Sequence, residues 1–313
     1  MSRKAVVTGG AGFIGSHLCR KLLDNRYNVT VYDDLSNGSG LEYLPKKIRF
    51  VKGDIVDSKK FQNVCKKADV IFHLAVKPLP MSFTKPEEVI RVNDYGTYLV
   101  AKICTRLNCK LVHVSSSEVY GEAITVAMKE NHPLLPTTIY AGSKAAAELY
   151  VRGFEKTEGL KMVIVRPFNS YGEYMRKDTY AAALPNFYNR IRKNLAPIIH
   201  GTGNQTRDFT YVEDTAEGIM LADQTKKAIG ETINIGQGKE VKIKTIAFLT
   251  LKKYEKISGK KTKRMLMYQK ARKGDIMRHK ANISRARKIL GYKPKIDLEE
   301  GITRYLKWNL GKK

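Results

Sequence analysis

Residues 4–24 read KAVVTGGAGFIGSHLCRKLLD: a short β-forming run, a glycine-rich turn and a helical period in direct succession. Gly9, Gly12 and Gly15 fall at the junction of the expected first strand and first helix. Glycine there permits a tight turn, lets backbone approach a pyrophosphate and holds the helix close to the sheet, while the helix N-terminus adds partial positive charge. Phe13 and Ile14, between the last two glycines, complete the candidate phosphate loop. The next β-type run, NVTVYDD, ends in Asp33 and Asp34, about 20 residues on, where a carboxylate can bond a ribose 2′-hydroxyl. Such an acid disfavours a 2′-phosphate. The following SNGSG, which holds Asn37, carries no arginine to reverse that preference, so NAD is expected over NADP.

The alternation continues outward. IRFVKGD and DVIFHLA read as third and fourth strands, KLVHVSSS and MVIVRPFNSYG as later ones, with helical periods between them at about 86–107 and 141–156. Short β-branched runs separated by helices imply parallel strands joined by crossover helices, a Rossmann-type doubly wound α/β sheet. Asp54 and Ile55 follow the third strand and can reach an adenine edge. Ala75 and Lys77 follow the fourth and can line nicotinamide and phosphates, and Asn93, on the next helix, is grouped with them. A solvated loop side chain is the competing reading for Asp54 and Lys77. After Tyr171 the rhythm breaks into irregular segments, a short strand TINIG, and a final helix LEEGITRYLKWNL after the turn GYKPK. The expected division is an NAD-binding part, 1–170, and a smaller mixed α/β part, 171–313, mainly substrate-binding and with some segments returning to the first. A cleft between the two is the natural ligand site.

A chain of 313 residues can bury a full core without staples. Its four cysteines, Cys19, Cys65, Cys104 and Cys109, form no CxxC pair, so reduced thiols of a cytoplasmic protein are expected, and no metal site. No apolar run approaches the roughly 18 residues of a membrane span. The formal charge is +27, and from Lys239 to the end 24 Lys+Arg face 6 Asp+Glu. Nucleic acid would suit that charge, but no RNA-binding signature or aromatic-basic interleaving accompanies it, so a solvated lysine-rich surface is the preferred reading.

KLVHV leads into SSSEVYG, so a strand end should deliver Ser116, Ser117 and Glu118 to the cleft. Tyr140 and Lys144, in YAGSK, are four apart at the start of a helix and share a face. An ammonium near a phenol favours the phenolate and lowers its pKa toward the range of a general base. With Ser116 sharing the proton of a substrate hydroxyl, the three groups make an alcohol-oxidising constellation beside a nicotinamide. For Glu118 the plain alternative is a carboxylate bonded to nearby backbone or lysine.

The segments TGGAGFIGSH, YDDLSNG, FHLA, SSSEVYG, YAGSK, RPFNSYG and RDFTYVEDTAEGI, in this order, resemble the extended short-chain dehydrogenase/reductase family that acts on nucleotide sugars, UDP-glucose 4-epimerases among them. The resemblance implies NAD-dependent oxidation at C4 to a 4-keto sugar. Tyr140 matches the family's base, Lys144 its partner and Ser116 the hydroxyl on O4. Asn169, Arg207 and Arg272 match contacts to the diphosphate, Leu184 the cradle of the nucleotide base, Asp275 the acid on the nucleotide ribose, and Ser117 lies with them on the substrate side. It also implies a homodimer joined through the helices at 86–107 and 141–156. Glu118 occupies the base position of similar 4,6-dehydratases and is also found in similar UDP-glucuronate decarboxylases. Ser117, however, stands where many dehydratases carry an aspartic acid, and His279 where decarboxylases have an arginine and epimerases often a tyrosine. A nucleotide-sugar 4-epimerase is therefore the first expectation, a 4,6-dehydratase the second and a decarboxylase the third, with a catalytically silent binding protein as the reading from another class.

Overall fold

The computed structural model describes residues 2–37, 40–176, 182–263, 265–271 and 276–312. Six strands, β1 (Lys4–Thr8), β2 (Asn28–Asp33), β3 (Arg49–Lys52), β4 (Val70–His73), β5 (Lys110–Val114) and β6 (Met162–Pro167), join the strand Thr232–Ile235 in one seven-stranded parallel sheet. Its order runs Thr232–Ile235, β6, β5, β4, β1, β2, β3. The order reverses between β1 and β4, where Thr8 is in register with His73, and ligands bind in the crevice beyond such a switch point.

Strand periodicity sorts the core into two faces. Val7, Val31, Phe72, Val112 and Val163 point to one cluster, with Leu18 and Leu22 of α1 (Phe13–Asp24). Their neighbours Val6, Ile71, Leu111 and Ile164 point to the other, against Phe61 of α2 (Ser58–Cys65) and Val100 and Val151. Because both faces are covered, the strands read as continuous apolar runs.

The helical stretch at 86–107 is α3 (Pro86–Val89), a π-helical segment Ile90–Tyr95 and α4 (Gly96–Leu107). That at 141–156 is α5 (Ile139–Glu158), started by the Thr138 hydroxyl, which accepts from Ala141 N at 3.1 Å, and stopped by Gly159 in the left-handed region.

Beyond Tyr171 the structure is more regular than expected. Among the described residues five helices follow, α6 (Ala183–Ile191), α7 (Val212–Gln224), α8 (Ile243–Ser258), α9 (Ser284–Leu290) and α10 (Leu298–Asn309). The helix α7 was hidden in the sequence because Val212, Thr215, Ala216, Ile219, Met220 and Ala222 bury it on several sides, which leaves little apolar–polar contrast to read. A third core of Tyr171, Leu184, Phe187, Ile246, Leu251, Ile302 and Tyr305 unites α6, α8 and α10. No helix of the described residues is long and apolar enough to cross a membrane, and no group of three or more potential metal ligands occurs among them. All four cysteines are buried thiols.

Candidate active site

The carboxyl ends of β1, β2, β4, β5 and β6 open into a cavity of about 500 Å³. At one end its wall is the turn from β1 into α1. Gly9 is required there twice over: its φ is +66°, and a Cβ would stand 2.6 Å from Ala75 N. Thr8 Oγ1 holds the facing loop by accepting from the Leu74 and Ala75 amides, each at 3.2 Å. Helix α1 begins at Gly12 with no side-chain cap and no acid in its first turn, so its amides remain available to an anion.

The two acids expected at the ribose, Asp33 and Asp34, adjoin this turn. Asp33 accepts from Ala11 N at 3.0 Å and Leu35 N at 2.8 Å, leaving lone pairs for ligand hydroxyls. Burial pushes its carboxyl up. Burial also acts on Asp34, but Ser36 and the Lys77 ammonium, 3.3 Å away, bring it below the usual carboxylate range. Lys77 Nζ further meets Ser36 Oγ at 2.5 Å and Glu88 at 3.2 Å. Asn37 Nδ2 donates to Val76 O at 2.7 Å, and Asp54 pairs with Arg91 at 2.9 Å.

The reacting end is assembled by β5, α5 and β6. The short turn Ser117–Tyr120 after β5 is capped by Ser116, whose Oγ accepts from Glu118 N at 3.2 Å and also hydrogen-bonds the Tyr140 side chain. Lys144, one helical turn beyond Tyr140, donates to Val114 O at 2.8 Å. The expected lowering of the phenol by Lys144 is not found. Burial pushes Tyr140 up to about 12, its hydrogen bond with Ser116 pulls it down, and the Glu118 charge raises it. The ammonium is committed to a backbone carbonyl, and burial brings it down to about 8 against the field of Glu148.

Two wall atoms are orphaned. Ser115 Oγ and Asn169 Nδ2 are buried without a partner among the described residues, an arrangement that costs free energy unless a ligand supplies the missing bonds.

The cavity brings together Gly9, Gly12, Phe13, Ile14, Gly15, Asp33, Asp34, Asn37, Asp54, Ile55, Ala75, Lys77, Ser116, Ser117, Glu118, Tyr140, Lys144 and Asn169. Three candidates are placed off its wall. Asn93 is fully buried in the π-helical segment; it accepts from Lys77 N at 2.7 Å and donates to Lys77 O at 3.0 Å, so it orients the loop. Leu184 packs in the third core. Arg207 donates to Ile276 O at 2.5 Å. Arg272 and Asp275 lie outside the described residues.

His279 is fully buried, lies tilted against Phe168 with ring centroids 4.8 Å apart and contacts Ser117 O at 3.2 Å through Nε2. Burial and the Arg207 charge bring its pKa down to about 4, so the ring is neutral near pH 7. Sequence reasoning also missed Ser115, Phe168 and Arg176 on the wall. Ser115 could have been found from its place at the strand end; Arg176 follows a segment with no regular period.

The sequence model of GDP-mannose 4,6 dehydratase matches residues 6–305. The chain belongs to this family. It is an extended short-chain dehydrogenase/reductase family of NAD-dependent nucleotide-sugar epimerases and dehydratases. A Methanocaldococcus jannaschii relative, provisionally named a UDP-glucose 4-epimerase, is 36% identical over 97% of this chain and 97% of its own. The mouse (Mus musculus) dTDP-D-glucose 4,6-dehydratase is 32% identical over 98% of this chain and 88% of its own. The crystal structure of UDP-glucuronic acid 4-epimerase from Bacillus cereus, in complex with UDP-glucuronic acid and NAD, superposes with a TM-score of 0.87 at 31% identity, covering 98% of this chain and 99% of that one. Family members thus share the sheet and the cleft while differing in reaction.

Proposed function

We propose that this family member is a nucleotide-sugar 4-epimerase acting on a UDP-hexose or UDP-N-acetylhexosamine. The observation that carries this reading is the wall beside Tyr140: Glu118 is its carboxylate, Ser117 is the neighbour, and the His279 beneath is neutral. Epimerisation needs one group that takes and returns a proton, whereas elimination of water needs both a base for C5–H and an acid for the C6 hydroxyl. The cofactor is NAD. The Gly9–Gly15 turn, Asp33, Asp34, Asn37 and Lys77 hold it, with Asp54, Ile55 and Ala75 lining its ends. Bound there, NAD would supply reversible hydride transfer at sugar C4. Tyr140 Oη takes the proton of the 4-hydroxyl, Ser116 shares that hydrogen bond, and Asn169 Nδ2 and Arg207 meet the diphosphate. The 4-keto sugar then turns over in the pocket, so that hydride would return to the other face of C4 while the same phenol returns the proton to O4. Incubating the enzyme with a panel of UDP-sugars and following products by proton NMR tests this: paired 4-epimers are expected, and a 4-keto-6-deoxy product overturns it.

Dehydration is the second reading, favoured by Glu118 lying close enough to Tyr140 to raise its pKa. In deuterated water, wild-type epimerase should leave C5 unlabelled, and Glu118→Gln should still interconvert its sugars to within about tenfold of wild type, since the group shuttling the proton is untouched. C5 labelling that disappears in Glu118→Gln would assign elimination instead. A neutral His279 weakens decarboxylation, because it offers no charge to a C6 carboxylate.

The division at 170/171 follows the same reading, the first part holding NAD and the second the nucleotide sugar. The partner is a second copy of this chain. Ile90 and Tyr95 on the 86–107 segment and Leu149 and Tyr150 on α5 form an exposed apolar face, and Tyr98 meets Tyr150 edge-on at 6.3 Å. Leu149, 64% exposed, should be central; sedimentation of Leu149→Glu should give monomer where wild type gives dimer, and a wild-type monomer rejects this interface.

A further inference from the structure

Arg176 lines the cofactor end of the cavity although it belongs to none of the motifs used so far. Its Nη1 donates to Asn37 Oδ1 at 3.3 Å, while Asn37 Nδ2 donates to Val76 O, so the guanidinium is tied to the wall that follows the ribose acids. The segment carrying it is anchored on both sides. His17 of α1 contacts Glu173 O through Nε2 at 3.2 Å, and the Glu173 carboxylate accepts from the Tyr211 hydroxyl. Tyr174 lies parallel on Tyr43, ring centroids 4.1 Å apart and planes 9° apart, with His17 at 4.7 Å and Trp308 edge-on at 5.4 Å. Tyr43 belongs to a turn opened by Gly40, where a Cβ would fall 1.9 Å from Ala11 O; the stack therefore sits on the phosphate loop itself. Tyr174 has φ +68°, unusual for an aromatic residue and maintained only where packing over-determines it.

We propose that residues 173–176 are a strap over the dinucleotide cleft, in which Arg176 meets the cofactor's pyrophosphate and the Tyr174–Tyr43 stack holds the strap closed. A guanidinium fork fits phosphate oxygens, and one on a packed strap slows release of the cofactor as well as tightening its binding.

The inference rests on NAD being the cofactor, and NAD release separates the two claims. Trp308 is the chain's single tryptophan and touches Tyr174, so its fluorescence reports strap position as NAD leaves. In purified holoprotein chased with excess unlabelled NAD, Arg176→Ala should release radiolabelled NAD about thirtyfold faster, the loss of a charge-assisted hydrogen bond to phosphate. Tyr174→Ala should release it about tenfold faster and shift Trp308 emission, whereas Tyr174→Phe, which keeps the stack, should do neither. Wild-type release from Arg176→Ala, with NAD bound by both proteins, overturns the strap alone. A wild-type protein that binds no NAD overturns the cofactor reading and the strap with it.

Discussion

Tyr140→Phe is expected to lower kcat by a factor of about 10²–10⁴ while leaving NAD content and UDP-sugar affinity close to wild type. Tyr140 is half-buried at the cavity wall and its side chain bonds Ser116, so removing one oxygen deletes the proposed proton-transfer group without opening the fold. Phenylalanine fills the same volume, and the Ser116 hydroxyl keeps its bond from Glu118 N. Burial and the Glu118 charge push this phenol up while its bond with Ser116 pulls it down, so the balance of these groups sets how readily it takes a proton. The measurements are single-turnover rates on holoenzyme and calorimetric titration with the nucleotide sugar. Loss of binding in proportion to loss of rate would mean Tyr140 holds the sugar and another group moves the proton; full activity would end the assignment.

The cofactor end was legible in the sequence because its chemistry is backbone chemistry. Gly9 must be glycine for reasons of φ and space, and Asp33 must end the strand beside it, so both are fixed by position. The reacting end was legible as residues but not as electrostatics. YAGSK places Tyr140 and Lys144 on one face, yet whether the ammonium serves the phenol depends on which acceptor lies nearest, and that acceptor is the carbonyl of Val114, about thirty positions earlier in the chain. Asn93 shows the same limit: its motif position suggested a ligand contact, while the π-helical segment turns it toward the backbone of Lys77. Arg176 and His279 were illegible for a different reason. Each reaches its place through tertiary packing, Arg176 two residues beyond the Tyr174–Tyr43 stack and His279 against Phe168, and no local period encodes such contacts.

Glu148→Ala is expected to destabilise the protein by about 3–5 kcal/mol. Glu148 and Arg166 are both buried, and the guanidinium meets the carboxylate in a fork, Nε to Oε1 at 2.9 Å and Nη2 to Oε2 at 2.6 Å. The remaining Arg166 contacts are the Glu130 carbonyl at 3.1 Å and the face of Tyr120 at 4.7 Å, neither of which neutralises it. Removing the acid strands a buried cation, while removing both charges does not, so Glu148→Leu with Arg166→Met should recover much of the loss in denaturant titrations. The pair matters to the site because of where its members sit. Glu148 is on α5, two turns beyond Tyr140; Arg166 is on β6, three residues before Asn169; and Tyr120 closes the turn that carries Ser117 and Glu118. If the pair serves only stability, the double variant should regain activity together with its denaturation midpoint. If it also sets the spacing of those three elements, the midpoint should return while kcat stays low, since a displacement of about 1 Å between reacting groups can cost a hundredfold in rate.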